Sequence, residues 1–295
     1  MHTFKLASAQ YDIGFFEHWD EFARKLDDWV SRAARQGARL LVFPEYGSME
    51  LTSLFGEAVY SDLAKQLHAM QSLLPRWADL HKSLAAQYDV HILASSFPTA
   101  QEDGSFVNRA NLFGPEGLLG YQDKLIMTRF ENEQWHISPG NDIRVIDTTL
   151  GRIGIHICYD SEFPLIANHQ VTAGADLLLV PSCTDTQAGF HRVRIGCQAR
   201  ALENQCYVVQ SPTVGDANWS PAVDANTGRA SIYSPVDYGF PANGILAEGE
   251  SSDPAWVYAT VDLREIARIR NEGQVFNYRD WPKQFDLKAP GKLER

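Results

Sequence analysis

The stretch RIGIHICYDSEFP, residues 152–164, begins as an apolar strand and then changes abruptly to a cysteine, two acids and a proline. Because side chains alternate along a strand, the three isoleucines share one face while Gly154, His156 and Cys158 share the other. We therefore predict a strand over Arg152–Cys158. It would place Cys158 at its carboxyl end, where α/β folds carry their chemistry.

Composition limits the classes of function. The chain has 295 residues, with 37 acidic against 26 basic and a formal net charge of −11, which argues against a general nucleic-acid or anionic-membrane surface. The four cysteines form no CxxC pair and no zinc spacing, so we expect free thiols without a disulfide framework or a structural metal. With neither a secretory signal pattern nor an 18-residue apolar run, we expect a cytoplasmic protein.

Short apolar runs rich in Val, Ile, Leu and aromatic residues recur along the chain and indicate strands. The predicted strands are Phe4–Gln10, Arg39–Phe43, Val90–Ser95, Phe106–Phe113, Ile143–Asp147, Arg152–Cys158, Asp176–Val180, Cys206–Ser211, Arg229–Tyr233 and Trp256–Asp262. The Gly-Pro-Glu-Gly group at 114–117 is typical of a hairpin turn, which makes this part antiparallel. The sheet is therefore mixed.

Helical patterns alternate with these strands. Apolar stripes at helical spacing run from Phe22 to Ala33 and from Leu63 to Tyr88, where Pro75 should kink or divide the helix. Further helices are predicted over 189–204 and 263–271. No linker divides the chain, so we predict one α/β domain over residues 1–275. A tail over 276–295 would lie across its own surface or that of a partner subunit.

Cys158 has a structural and a catalytic interpretation. A buried packing thiol is the commoner fate of a cysteine, but the sharp change from strand to YDSEFP resembles an elbow whose N–H groups can face an oxyanion. His156 is a poor base for Cys158, because side chains two apart on a strand lie about 7 Å from each other. A metal site at His156 and Cys158 lacks further ligands at motif spacing.

Two other segments end a strand with an ionisable residue. ARLLVFPEYGSME, residues 38–50, runs into Glu45, and GLLGYQDKLIMTRFENE, residues 117–133, runs into Lys124. Taken singly, Glu45 and Lys124 are of residue types that more often lie on the solvent-exposed surface. Together with Cys158 they supply a base, a cation and a nucleophile at three strand ends.

The segments FPEYG, YQDKLIMTRFENE and GIHICYDSEFP, in this order and spacing, resemble the three signature segments of the nitrilase superfamily of carbon–nitrogen hydrolases. The later ARALENQCYVV also resembles that family, so the similarity extends from about residue 4 to about 262. The resemblance implies a four-layer α-β-β-α sandwich of mixed sheets, free of metal and cofactor. It also implies a homodimer or higher homo-oligomer.

The resemblance further implies a catalytic triad of Glu45, Lys124 and Cys158. Glu133 matches a second acid that follows the lysine in many members, although Glu131 lies close by and the assignment can be wrong by two positions. The backbone N–H of Tyr159 would join Lys124 in binding the oxyanion. The segment PSCTD, residues 181–185, follows a strand end and suggests Thr184 as a pocket residue, while His156 becomes a packing residue.

The activity implied is cleavage of a non-peptide C–N bond in a small amide through a cysteine thioester. Nitrilases, carbamoylases and N-acyltransferases share these segments, so each remains an alternative. A thiol sensor without catalysis is another. The expected partner is a small amide or nitrile, with no nucleic acid and no membrane.

Overall fold

The computed structural model describes residues 2–288, which form strands and helices in alternation. The strands are β1 (Thr3–Asp12), β2 (Ala38–Val42), β3 (His91–Leu93), β4 (Phe97–Ala100), β5 (Phe106–Gly114), β6 (Gly117–Asp123), β7 (Ile137–Ser138), β8 (Val145–Thr148), β9 (Gly151–Ile155), β10 (Leu177–Ser182), β11 (Tyr207–Asp216), β12 (Ala225–Asn226), β13 (Ser231–Tyr233), β14 (Ile245–Glu248) and β15 (Ala255–Asp262). Each predicted strand overlaps one of them. The shorter strands β4, β7, β12 and β14 were not predicted, because two to four residues carry little periodicity.

The helices cover the sheets. They are α1 (Trp19–Arg35), α2 (Glu57–Tyr60), α3 (Leu63–Met70), α4 (Leu74–Tyr88), α5 (Pro164–Thr172), α6 (Gln187–Asn204), α7 (Leu263–Glu272) and α8 (Asn277–Asp280). The long stripe after residue 63 is divided as expected, since α3 ends at Met70 and Pro75 lies in the first turn of α4, where no N–H is needed. Further short turns are Gly47–Phe55, Glu131–Trp135, Cys158–Glu162 and Trp281–Asp286.

Two mixed sheets form the centre of the molecule. In the first, β1, β2 and β3 are parallel, while β15, β5 and β6 are antiparallel to their neighbours. In the second, β9, β10 and β11 are parallel, with β8, β13 and β14 antiparallel at the edges. The sheets meet where the ends of β1 and β11 pair, at Tyr11 with Thr213 and Asp12 with Val214. This junction brings the carboxyl ends of the parallel strands together.

Alternation along the strands separates the core into layers. Leu6 and Leu40 point inward to a cluster shared with Ile153 and Leu177 of the second sheet. Their neighbours Ala7 and Leu41 point outward and contact α1 and α4, while α5 and α6 cover the second sheet. The expected four-layer α-β-β-α sandwich is confirmed.

The tail begins as part of this fold. Over residues 276–288 the chain forms α8 and a short 3₁₀ turn, and the N–H of Tyr278 donates to Oε1 of Gln205 at 3.1 Å. The Tyr278 ring also lies 4.2 Å below the guanidinium of Arg270. This part of the tail therefore contacts its own chain; residues 289–295 lie outside the described range, so the predicted contact with a partner subunit stays a prediction.

None of the helices within residues 2–288 combines the length and the apolar character needed to cross a bilayer.

Candidate active site

Cys158 lies on a sharp elbow between β9 and α5. The predicted strand is too long, because β9 ends at Ile155 and Cys158 begins a 3₁₀ turn with φ of 50°. A non-glycine residue in this left-handed region stores backbone strain, so the surrounding contacts must hold it there. Ser161 Oγ donates to the Cys158 carbonyl at 2.7 Å, and the N–H of Ile157 donates to Asp160 Oδ2 at 3.2 Å.

Glu45 and Lys124 meet beside this elbow. Glu45 follows β2 and Lys124 follows β6, and their side chains are each only 1% exposed. Lys124 Nζ donates to Glu45 Oε1 at 2.8 Å. Glu45, Lys124 and Cys158 all line one cavity, so the structure brings together the three residues of the predicted triad.

The second acid beside Lys124 is Glu131. Lys124 Nζ donates to Glu131 Oε1 at 2.8 Å and to Oε2 at 2.6 Å, and both side chains are buried. Glu133 instead pairs with Arg129 at 2.8 Å, with side chains that are half or more exposed. The prediction that Glu133 holds Lys124 is wrong by two positions. Residues two apart on a helical turn point in nearly opposite directions, so Glu133 faces away when Glu131 faces inward.

Burial and charge shift the pKa values of this group. Burial raises the pKa of Glu45 to about 7, an effect that the charge of Lys124 opposes and that of Glu131 reinforces. Burial acts to lower the pKa of Lys124, but Glu131 and Glu45 outweigh it, and the pKa lies well above its usual value. Lys124 is therefore a fixed cation, whereas Glu45 can exchange a proton near neutral pH.

The Cys158 thiol is held as a neutral group until a base acts on it. Burial and the nearby charge of Glu45 raise its pKa well above the usual value, although Lys124 opposes both. Its Sγ also lies 3.7 Å from the Cys183 carbonyl oxygen. The charges of Glu45 and Lys124 both act on the pKa of this thiol, and all three side chains line the same cavity, so the thiol lies within reach of a candidate base.

Several side chains at the site carry no sequence signal. Asn108 Nδ2 donates to Glu45 Oε1 at 2.9 Å, and the Tyr46 hydroxyl donates to Glu131 Oε1 at 2.7 Å. Asn108 lies within strand β5, where an isolated amide gives no pattern. Tyr46 directly follows Glu45, but only the fold brings its hydroxyl to Glu131.

Asp160 connects the lysine to the elbow. Its carboxylate accepts the N–H groups of Leu125 and Ile126, directly after Lys124, and that of Ile157, directly before Cys158. Burial raises the Asp160 pKa to about 7 while these hydrogen bonds favour ionisation. The contact fixes the position of Lys124 relative to Cys158. In the sequence, Asp160 is one of two acids that follow the cysteine, and no pattern there predicts this role.

His156 packs away from this chemistry. Its ring is fully buried, its Nε2 lies 2.8 Å from Gln170 Oε1, and burial lowers its pKa to about 4. The imidazole is thus neutral and held by an amide of α5. This arrangement agrees with the packing role expected for it.

The cavity in front of Cys158 has a volume of about 500 Å³. Thr184 lines it, and so does Tyr159, whose backbone N–H is the expected oxyanion donor; the Thr184 hydroxyl donates to the Thr227 carbonyl at 2.8 Å. Phe130, Trp135 and Val223 give it apolar wall. Among residues 2–288, no three His, Cys, Asp or Glu side chains are grouped so as to hold a metal ion.

Comparison with known proteins gives consistent matches. The family model described as carbon-nitrogen hydrolase matches residues 5–271. The chain is 34% identical to a probable hydrolase, YhcX, of Bacillus subtilis over 94% of its own length, and it spans about half (53%) of that relative. It is 26% identical to the human omega-amidase NIT2, covering 98% of each chain. The crystal structure of Saccharomyces cerevisiae Nit3, of the nitrilase superfamily, superposes with a TM-score of 0.73 at 21% identity, covering 91% and 93% of the two chains.

Proposed function

Because this chain belongs to the carbon–nitrogen hydrolase family, we propose that it hydrolyses a small, non-peptide amide through a thioester on Cys158. One observation carries the proposal. The buried Lys124 ammonium is held between Glu45 and Glu131 on the wall of the cavity that Cys158 also lines. A nucleophile, a base that titrates near neutrality and a fixed cation are what amide cleavage needs.

The first step is attack on the amide carbon. Glu45 takes the Sγ proton of Cys158 as the sulfur forms its bond to that carbon, so a free thiolate need not accumulate. The pKa of Glu45 at about 7 suits this transfer at neutral pH. The carbonyl oxygen becomes an oxyanion, which the Lys124 charge and the backbone N–H of Tyr159 stabilise.

The second and third steps reuse the same residues. Protonated Glu45 gives its proton to the leaving nitrogen, the C–N bond breaks, and ammonia or an amine departs from the thioester. Water then attacks the thioester while Glu45 takes its proton, and the carboxylic acid is released as the Cys158 thiol re-forms. Glu131 keeps Lys124 charged and in place throughout, since its two oxygens accept the ammonium hydrogens.

An amide is the substrate class that the relatives favour. The human relative named omega-amidase matches this chain over nearly its whole length, whereas YhcX is named only as a probable hydrolase and is about twice as long. We therefore propose an amide as the substrate of this chain.

The test is turnover of a panel of aliphatic amides, with ammonia release as the readout and Cys158→Ala as the comparison. We expect activity in the wild type and none in Cys158→Ala, with equal melting temperatures to within a few degrees. Intact mass of acid-quenched wild type should show an acyl adduct on Cys158. Equal turnover by Cys158→Ala would overturn the mechanism.

The alternative reactions give different products in the same assay. Hydroxylamine added during turnover would yield a hydroxamate if the thioester transfers its acyl group readily to amines, as an N-acyltransferase would. Turnover of nitriles or N-carbamoyl compounds in place of amides would reassign the substrate class. Oxidation of Cys158 to a sulfenic acid, without turnover of any compound, would favour the thiol sensor.

We also propose that the protein forms a homo-oligomer. Leu165 on α5 and Ile195 and Leu202 on α6 are exposed apolar side chains on the outer helical layer. We expect this layer to lie at the interface of the homo-oligomer that the family resemblance implies, and light scattering would measure its mass. A cytoplasmic location likewise stays a prediction.

A further inference from the structure

Glu162 is a partly buried acid on the wall of the cavity that contains Cys158. It lies four residues after Cys158 on the same 3₁₀ turn, and its side chain is 23% exposed. It lines the cavity together with Cys158 and Tyr159. Glu162 therefore lies on the wall of the same cavity that a substrate must enter to reach Cys158.

The other charged side chains of the wall, outside the Glu45, Lys124 and Glu131 group, are more exposed than Glu162. Arg192 is 62% exposed, and Arg129 is 86% exposed and bonded to Glu133, which does not line the cavity. The remaining two are the exposed acids Asp185 and Asp224. Exposed charges are screened by water and salt, so outside the Glu45, Lys124 and Glu131 group the charge of Glu162 is the least screened on the cavity wall.

The cation paired with Glu162 is Arg192, whose side chain is far more exposed than that of Glu162 and is therefore more strongly screened by water. Arg192 Nε lies 3.6 Å from Glu162 Oε1, beyond the 2.7–2.9 Å typical of a charge-assisted hydrogen bond. Burial raises the pKa of Glu162, and Arg192 opposes this effect only in part. A positively charged ligand group would therefore be favoured beside Glu162, and a negatively charged one disfavoured.

We propose that Glu162 is a specificity-determining residue that binds a positively charged group on the tail of the amide substrate. The inference rests on the proposed amidase function and names its substrate class: amides with an ammonium or similar cation, rather than amides that carry a second carboxylate. The volume of about 500 Å³ accommodates such a tail beyond the scissile bond.

The test compares three amides of matched length that differ in terminal charge: δ-aminovaleramide (cation), valeramide (neutral) and glutaramate (anion). For the wild type we expect kcat/KM to fall in that order. Glu162→Gln should lower kcat/KM for the cationic amide about tenfold, through KM, and raise it for the anionic amide, since a charged hydrogen bond is worth about that factor. Valeramide should be unaffected, which also reports that the variant folds.

The control is Glu116→Gln, which makes the same charge change at an exposed turn residue that does not line the cavity. We expect it to leave all three values unchanged. Arg192→Gln tests the opposite reading, in which the arginine binds a substrate carboxylate.

The outcomes separate the two proposals. If glutaramate is the best of the three substrates and Arg192→Gln abolishes that preference, the assignment of Glu162 is overturned while the amidase function stands. Equal kcat/KM for all three amides in wild type and Glu162→Gln also overturns it. Failure of the wild type to cleave any amide, in this series or the wider panel, is failure of the proposed function itself.

Discussion

The Nδ2 atom of Asn108 donates a hydrogen bond of 2.9 Å to Oε1 of Glu45, and both side chains are buried. Lys124 donates to the same oxygen at 2.8 Å. Because both donors favour the ionised carboxylate, they oppose the burial that raises the pKa of Glu45. The balance leaves this carboxyl able to accept a proton near neutral pH.

Asn108→Leu should move the pH dependence of Cys158 reactivity to higher pH. The wild-type alkylation rate should rise with pH through about 7, because ionised Glu45 must take the thiol proton. Losing the Asn108 hydrogen bond disfavours the ionised form of Glu45 and raises its pKa. The alkylation rate should therefore begin to rise at a higher pH than in the wild type. The measurement is the rate of iodoacetamide labelling of Cys158 between pH 5 and 9. An unchanged midpoint in a folded variant would exclude this role.

Glu131→Gln should lower activity far more than Glu133→Gln. Removing the buried charge leaves Lys124 with weaker contacts, lowers its pKa and loosens its position, whereas Glu133 is exposed and bonded only to Arg129. We expect kcat/KM to fall by about tenfold or more for Glu131→Gln, the size of a lost charged hydrogen bond. Melting temperature should fall too. Equal losses in the two variants would restore Glu133 as a candidate.

The four cysteines should differ in their alkylation rates at neutral pH. Burial raises the pKa of Cys158 well above its usual value and those of Cys183 and Cys206 to about 12, so access and a nearby base decide which thiol reacts; Cys158 lines the cavity together with Glu45. Burial also raises the pKa of Cys197, which is fully buried. Mass spectrometry should therefore find Cys158 labelled first and Cys183, which shares the cavity, second. Glu45→Gln should slow only Cys158; slow labelling at every site would remove the support for an activated nucleophile.

Cys158→Gly should be more stable than Cys158→Ala, although both should be inactive. Cys158 has φ of 50°, a conformation that glycine adopts freely and that costs alanine about 1 kcal/mol. We expect a higher melting temperature for the glycine variant, with a gain that its extra entropy in the unfolded chain reduces. Equal or lower stability of the glycine variant would mean that the elbow is not strained. Denaturant titration of the two variants measures the difference.

Sequence pattern predicted much of the fold because the sheets are built from apolar runs that are recognisable locally. Every predicted strand overlaps an observed one, and the hairpin at 114–117 joins β5 to β6 in antiparallel register. The strand before Cys158 was extended three residues too far, because alternation continues through Ile157 although pairing with β10 ends at Ile155. Where a strand ends depends on where its pairing with the adjacent strand stops, and the sequence pattern of one segment does not contain that information.

Local sequence patterns were enough to assign the chain to the carbon–nitrogen hydrolase family and to predict a layered α/β fold. They also pointed to Glu45, Lys124 and Cys158, because each of these residues follows a strand in a recognisable segment. Tertiary structure alone decided that Glu131 rather than Glu133 contacts Lys124. It also decided that Asn108, 63 positions from Glu45, is its hydrogen-bond donor, and that Glu162 lines the cavity. Hydrogen bonds and burial depend on which strand ends the packed sheets bring together, whereas residue patterns report only the local conformation of each segment.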